Sequence, residues 1–165
     1  MSPLRADKHP HAYEVHCHWT GSTGLGYEHY DRTHLASAPP ASPSLTLSAD
    51  RAFRGDPNLL NPEQLLVLAA MSCQLLSFLA VAARARIDVV EYDDVGGAVM
   101  PDDDPPVRVT EIHLRPVIRV GAGPTEERVL HLVRVAHREC YIANSLRTII
   151  SIEPRIIISP SHSSP

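Results

Sequence analysis

A chain of 165 residues, 44% hydrophobic and 21% charged, has the composition of a globular protein, which excludes wholesale disorder. The formal net charge of −4 excludes the overall basic footprint of a nucleic-acid binder. The three cysteines, Cys17, Cys73 and Cys140, are an odd number that fits no disulfide framework.

Residues 1–10 read as a flexible leader, polar and proline-interrupted, without the pattern of a secretory signal. A cytoplasmic location with reduced thiols is expected on that basis. One domain is expected over 11–158, and the serine- and proline-rich 159–165 read as a disordered tail. "HAYEVHCHWT" (11–20) alternates, with Tyr13, Val15, Cys17 and Trp19 on one face. This predicts a half-buried strand with Cys17 in the core. "GSTGLG" predicts a turn, "YEHYDRTHLAS" the returning strand, 39–44 a loop and "LTLSA" a short strand. With no lysine and no helix after it, the glycine stretch is not a phosphate loop. His16 and His18 share a face that His29 could join, but no cysteine or carboxylate accompanies them at zinc spacing. Neither a metal nor a bound cofactor is expected.

"NPEQLLVLAAMSCQ" (61–74) opens a helix, with Asn61 as N-cap, Pro62 at the first position and Gln64 completing a capping box. No charged residue occurs from Leu65 to Ala83, and Arg84 and Arg86 follow where cations favour the helix dipole. A helix apolar on all sides is central either in a fold or in a membrane. The run is barely long enough to span, carries Ser72, Gln74 and Ser77, and adjoins alternating strands, so a buried central helix is predicted and no membrane. "IDVVEYDDVGGAVM" (87–100) and "VRVTEIHLRPVIRV" (107–120) are strand-rich, and the facing of the second changes along its length. "PTEERVLHLVRVAHREC" predicts a second helix with Val129, Val133, Ala136 and Cys140 on one inward stripe. A short helical stretch then leads to "RTIISIEPRIIIS" as a final strand. The predicted class is α+β, an antiparallel sheet with helices gathered against it.

Cys73 or Cys140 alone would serve as small apolar filler. Both, however, are expected on inward stripes of the only two substantial helices, and an adjacent pair permits sulfenate formation and disulfide capture. Glu63 suits the first helical turn as a simple dipole partner. It precedes Cys73 by ten residues, ~15 Å along the helix axis, so the two cannot touch within one chain. If both serve one site, Glu63 comes from a second subunit. Arg54 in "AFRGDP" is either a loop arginine paired with Asp56 or the cation that holds Cys73 as thiolate, with Arg51 as competitor. His137 is either a base for Cys140 or a solvated or core histidine.

"NPEQLLVLAAMSC" and "AHRECYIANSL" resemble the two signatures of the OsmC/Ohr family, osmotically inducible protein C and organic hydroperoxide resistance protein. "HAYEVHCHWTGSTGLGYEHY", "AFRGDPNLLNPE" and "IISIEP" are also similar to that family, close to its general OsmC-like members, and the likeness runs over about 9–158. The resemblance implies an intertwined homodimer with sites at the subunit interface. It implies a thiol-dependent peroxidase acting on organic hydroperoxides and less well on hydrogen peroxide. Carried across, Cys73 is the peroxidatic cysteine and Cys140 the resolving one, with Glu63 and Arg54 activating the site. The reductant would be a dithiol or a lipoyl protein. The rival expectation is a non-catalytic binding or sensing protein that uses an apolar pocket at the dimer interface.

Overall fold

A computed structural model of the protein describes residues 10–160, so the expected leader and tail lie almost wholly outside the described residues. The chain divides into two compact units, one ending at Pro62 and one beginning at Glu63.

The first unit is an antiparallel sheet of β1 (His16–His18), β2 (His34–Ser37) and β3 (Leu45–Leu47), in that order. The predicted strand 11–20 is thus reduced to three residues, all exposed, and Cys17 is exposed too rather than part of a core. The alternation is real, but Tyr13 and Val15 stand exposed. The loop between β1 and β2 is held by an arginine instead. Arg32 donates from Nη1 to the Tyr30 carbonyl and from Nη2 to the Tyr27 carbonyl, both at 2.7 Å. Its guanidinium also lies 4.0 Å from the Tyr30 ring centre, a cation–π contact. A 3-10 turn, Arg51–Phe53, leads through Arg54 to Gly55. Only glycine fits at 55, where a Cβ would stand 1.7 Å from the Ala49 carbonyl oxygen.

All of α1 (Pro62–Arg84) after its first residue lies in the second unit, and the helix forms as predicted. By length and composition this helix could cross a membrane, but its buried stripe is committed to a protein core. Ala70, Gln74, Phe78, Val81 and Ala82 form that stripe. Phe78, Val81 and Ala82 pack with Ile118, Val120, Val129, Val133 and Ala136. Ala70 packs with Val109, Ile112 and Leu114. The helix ends in a Schellman arrangement, Ile87 N–H to the Ala82 carbonyl at 2.9 Å and Arg86 N–H to the Ala83 carbonyl at 3.0 Å. Arg86 occupies the left-handed position with φ 57°.

Then follow β4 (Val89–Asp94), β5 (Gly97–Val99), β6 (Glu111–Leu114), β7 (Pro116–Val120), α2 (Glu126–Glu139), α3 (Tyr141–Ser145), β8 (Ile149–Ile152) and β9 (Arg155–Ile158). They build two three-stranded sheets, β4-β7-β9 and β5-β6-β8. The expected antiparallel pairing holds for β4–β7 and β5–β6, whereas β6 pairs β8 and β7 pairs β9 in parallel. The cause is the helical crossover of α2 and α3, which returns the chain in the direction it left. Each long strand predicted from sequence is broken once, at matching places. Arg115 separates β6 from β7, and Glu153–Pro154 separates β8 from β9. At this corner Asp94 Oδ1 accepts the Arg115 N–H at 2.8 Å, and the Glu153 N–H reaches the Leu114 carbonyl at 2.9 Å. Gly96 lies there against α1, where a Cβ would meet Met71 Sδ at 2.7 Å.

Candidate functional site

Cys73 sits midway along α1, half-buried, and Cys140 is fully buried, only 1% exposed. Cys140 is not on the α2 stripe as predicted. It is the junction residue, capping the end of α2 and the start of α3 with extended backbone (φ −71°, ψ 113°). Val129, Val133 and Ala136 do lie on the buried stripe. Asn144 fixes the junction, its Nδ2 donating to the carbonyls of Cys140 at 2.9 Å and Arg138 at 3.0 Å. Gln74, buried beside Cys73, donates from Nε2 to the Val133 carbonyl at 3.4 Å and ties α1 to α2.

This arrangement makes the two thiols neighbours that shift each other's ionisation, and both are free. The Ile142 N–H in the first turn of α3 points at Cys73 Sγ, 3.5 Å away. Burial pushes the Cys73 thiol up. The Ile142 N–H, the Cys140 thiol, the Tyr141 N–H and the Ser77 hydroxyl outweigh burial and bring it below its ordinary value of 9.0. Cys140 goes the other way. Burial first, then the hydrogen bond and negative charge of Cys73, push it up to about 11 against the Ala143 N–H. The pair is therefore polarised, Cys73 ionising more readily than Cys140.

The other expected residues stand elsewhere. Glu63 is in the first turn of α1, and its Oε2 is buried with no hydrogen-bond partner. Arg54 does not pair with Asp56; its guanidinium is ion-paired with Glu28, and its backbone is left-handed at φ 64°. Arg51 lies in the adjoining 3-10 turn. The His137 Nδ1 is buried without a partner. Among the described residues no three His, Cys, Asp or Glu side chains cluster to hold a metal. Sequence reasoning missed the α3 amides and Ser77. The hydroxyl had a visible signal, one helical turn after Cys73, whereas the amides had none.

The OsmC-like protein family model matches residues 55–155, which include both cysteines, Glu63 and the strands around them. The chain belongs to the OsmC-like family. Its fold is the OsmC-like fold, with small sheets and helices of mixed α+β content. Among solved structures, an OsmC-like protein of unknown function from Vibrio cholerae is 25% identical with a TM-score of 0.78, over 90% of this chain and 100% of that one. An organic hydroperoxide resistance protein from Legionella pneumophila is 18% identical, TM-score 0.68, over 91% and 99% of the two chains. Another from Elizabethkingia anophelis is also 18% identical, TM-score 0.66, over 90% and 99%. The last two show likeness of fold. No curated protein matches the sequence.

Proposed function

We propose that the protein is a cytoplasmic thiol peroxidase that reduces organic hydroperoxides, and hydrogen peroxide less well, through Cys73 and Cys140. The observation that carries this reading is the polarised thiol pair with the Ile142 N–H on Cys73 Sγ. The names of the Legionella and Elizabethkingia relatives support the substrate class.

Cys73 thiolate attacks the distal oxygen of the hydroperoxide, the O–O bond breaks, and the alkoxide leaves as alcohol after taking a proton. Cys73 is then a sulfenic acid. The Cys140 thiol attacks its sulfur, water leaves, and a Cys73–Cys140 disulfide forms before further oxidation. A dithiol or a dihydrolipoyl group on a protein returns both thiols by exchange. In the proposal Glu63 acts in the site of the partner subunit of a homodimer, which accounts for its unpartnered buried oxygen. Arg54 stabilises the departing alkoxide, the ionisation of Cys73 being supplied by the α3 amides.

The test is hydroperoxide consumption with a dithiol donor, followed by mass spectrometry of the cysteines. Wild type turns over and accumulates the Cys73–Cys140 disulfide when the dithiol is withheld. Cys73→Ser is expected to fall to the uncatalysed rate, and retained turnover would remove Cys73 from the mechanism. Cys140→Ser is expected to halt after one turnover with Cys73 over-oxidised. Peroxide modification confined to Cys17 would restore the binding-protein reading.

A further inference from the structure

Among the described residues outside the thiol pair, one cluster joins a nucleophile, a base and a carboxylate. On the parallel pair β6 and β8, His113 stands opposite Ser151. The His113 Nδ1 lies 2.7 Å from Ser151 Oγ, and its Nε2 lies 3.1 Å from Glu111 Oε2. Glu111 and His113 share the face of β6 opposite the buried Ile112 and Leu114, and both keep almost half of their side-chain surface accessible. We infer that Ser151, His113 and Glu111 form a serine nucleophile with its base and orienting carboxylate, able to take the acyl group of an exposed carboxylic ester.

The proton placement follows from the contacts. Glu111 accepts from Nε2–H, which fixes the tautomer whose Nδ1 lone pair receives the Ser151 hydroxyl hydrogen. The space over the neighbouring strand is open. Gly97 pairs with His113 on the other side, and a Cβ there would meet nothing within 4 Å. β8 is the outer strand of its sheet. The N–H groups of Ile149 and Glu153 point inward, to the carbonyls of Thr110 and Leu114. Alternation therefore turns the Ile152 N–H toward the open edge, directly after Ser151. The amide after a serine nucleophile is a recurrent oxyanion donor. Because Glu111 and His113 stand half exposed on this sheet face, beside open space at Gly97, the cluster suits an acyl group presented on the surface of its carrier.

The chemistry balances without a further reactant. Ser151 Oγ bonds to the acyl carbon, the carbon–oxygen bond to the leaving alcohol breaks, and the serine proton passes through His113 Nδ1 to that alcohol. Water then repeats the transfer, releasing the acid and restoring Ser151. None of these residues belongs to the thiol site, so failure of the peroxidase reading leaves this inference standing.

The full-length protein is treated with a fluorophosphonate, which forms an Oγ–P bond with loss of fluoride, and separately with p-nitrophenyl acetate. The labels are located by peptide mapping, which separates Ser151 from the thiols. The expected result is one equivalent of phosphonate on Ser151 and acetyl on the same residue. His113→Asn and His113→Ala are expected to slow labelling of Ser151 by ~100-fold or more, the usual contribution of a general base. Glu111→Ala and Glu111→Gln are both expected to slow it, since a neutral amide cannot stabilise the imidazolium that His113 becomes. No label on Ser151, or labelling as fast in a folded His113→Asn protein as in wild type, would overturn the inference.

Discussion

At Cys73 two opposed influences set the charge. Burial favours the thiol, but a hydrogen bond to an ionised group is worth about 1.5–3 kcal/mol, so several donors outweigh the desolvation of a half-buried sulfur. Cys73 alkylation by iodoacetamide should therefore begin below pH 9.0, with Cys140 reacting last. Arg54→Gln should lower peroxide turnover while leaving the Cys73 thiolate absorbance curve in place. A shifted curve would return the ionisation to the arginine. Stability follows by linkage. Cys140, raised from 9.0 to about 11, stabilises the fold fully below pH 9 and loses that contribution as pH rises through 11. Cys73, lowered, contributes above its unfolded value and loses the contribution as pH falls through its folded value. Urea midpoints should accordingly decline between pH 9 and 11, less so in Cys140→Ala. Asp94 stands apart from both: burial raises its carboxyl, the Arg115 N–H lowers it, and its Oδ2 has no partner.

Elements are set by their ends and corners. α1 was legible almost to the residue, because Pro62 opens it and an uninterrupted apolar run follows. Its stop was not signalled by glycine. Arg86 holds the left-handed position where glycine is usual. Arg86→Gly should therefore raise stability by about 0.5–1 kcal/mol, since relief of the side chain's clash exceeds the added chain entropy. Gly96→Val should do the reverse and cost about 1–3 kcal/mol by driving into Met71 and Val67. Urea unfolding of both variants checks the pair. The strand segments 107–120 and 147–159 are legible as strand, with a proline beside each break. Pro116 and Pro154 mark both breaks in the sequence, yet alignment of the two into one corner depends on register. Around Cys17 the alternation overstates the strand, because it reports a face but not whether anything covers it.

For the whole molecule, the decisive feature is the part of α1 that its own unit leaves open. Leu76 is 62% exposed, and Leu68 and Leu79 are also accessible. Burying one such side chain yields about 1.5–3 kcal/mol, and this stripe is apolar area that the proposed dimer would cover. In the dimer proposed above, Leu76→Asp should halve the mass seen by light scattering while circular dichroism is preserved. Glu63→Ala and Cys73→Ser proteins, each inactive alone, should recover partial peroxidase activity after subunit exchange. Absence of recovery with exchange confirmed would separate Glu63 from the neighbouring site.

The sequence by itself determined the helices, the family and the two cysteines worth comparing, because hydrophobic period, caps and spaced motifs are local properties of the chain. Only the tertiary structure decided that the cysteines are neighbours, that Cys140 sits at a helix junction rather than on a stripe, and that backbone amides help lower the Cys73 thiol below its ordinary value. Those outcomes depend on where the crossover returns the chain. An N–H group is present at nearly every residue, so no sequence pattern says which one will face a sulfur.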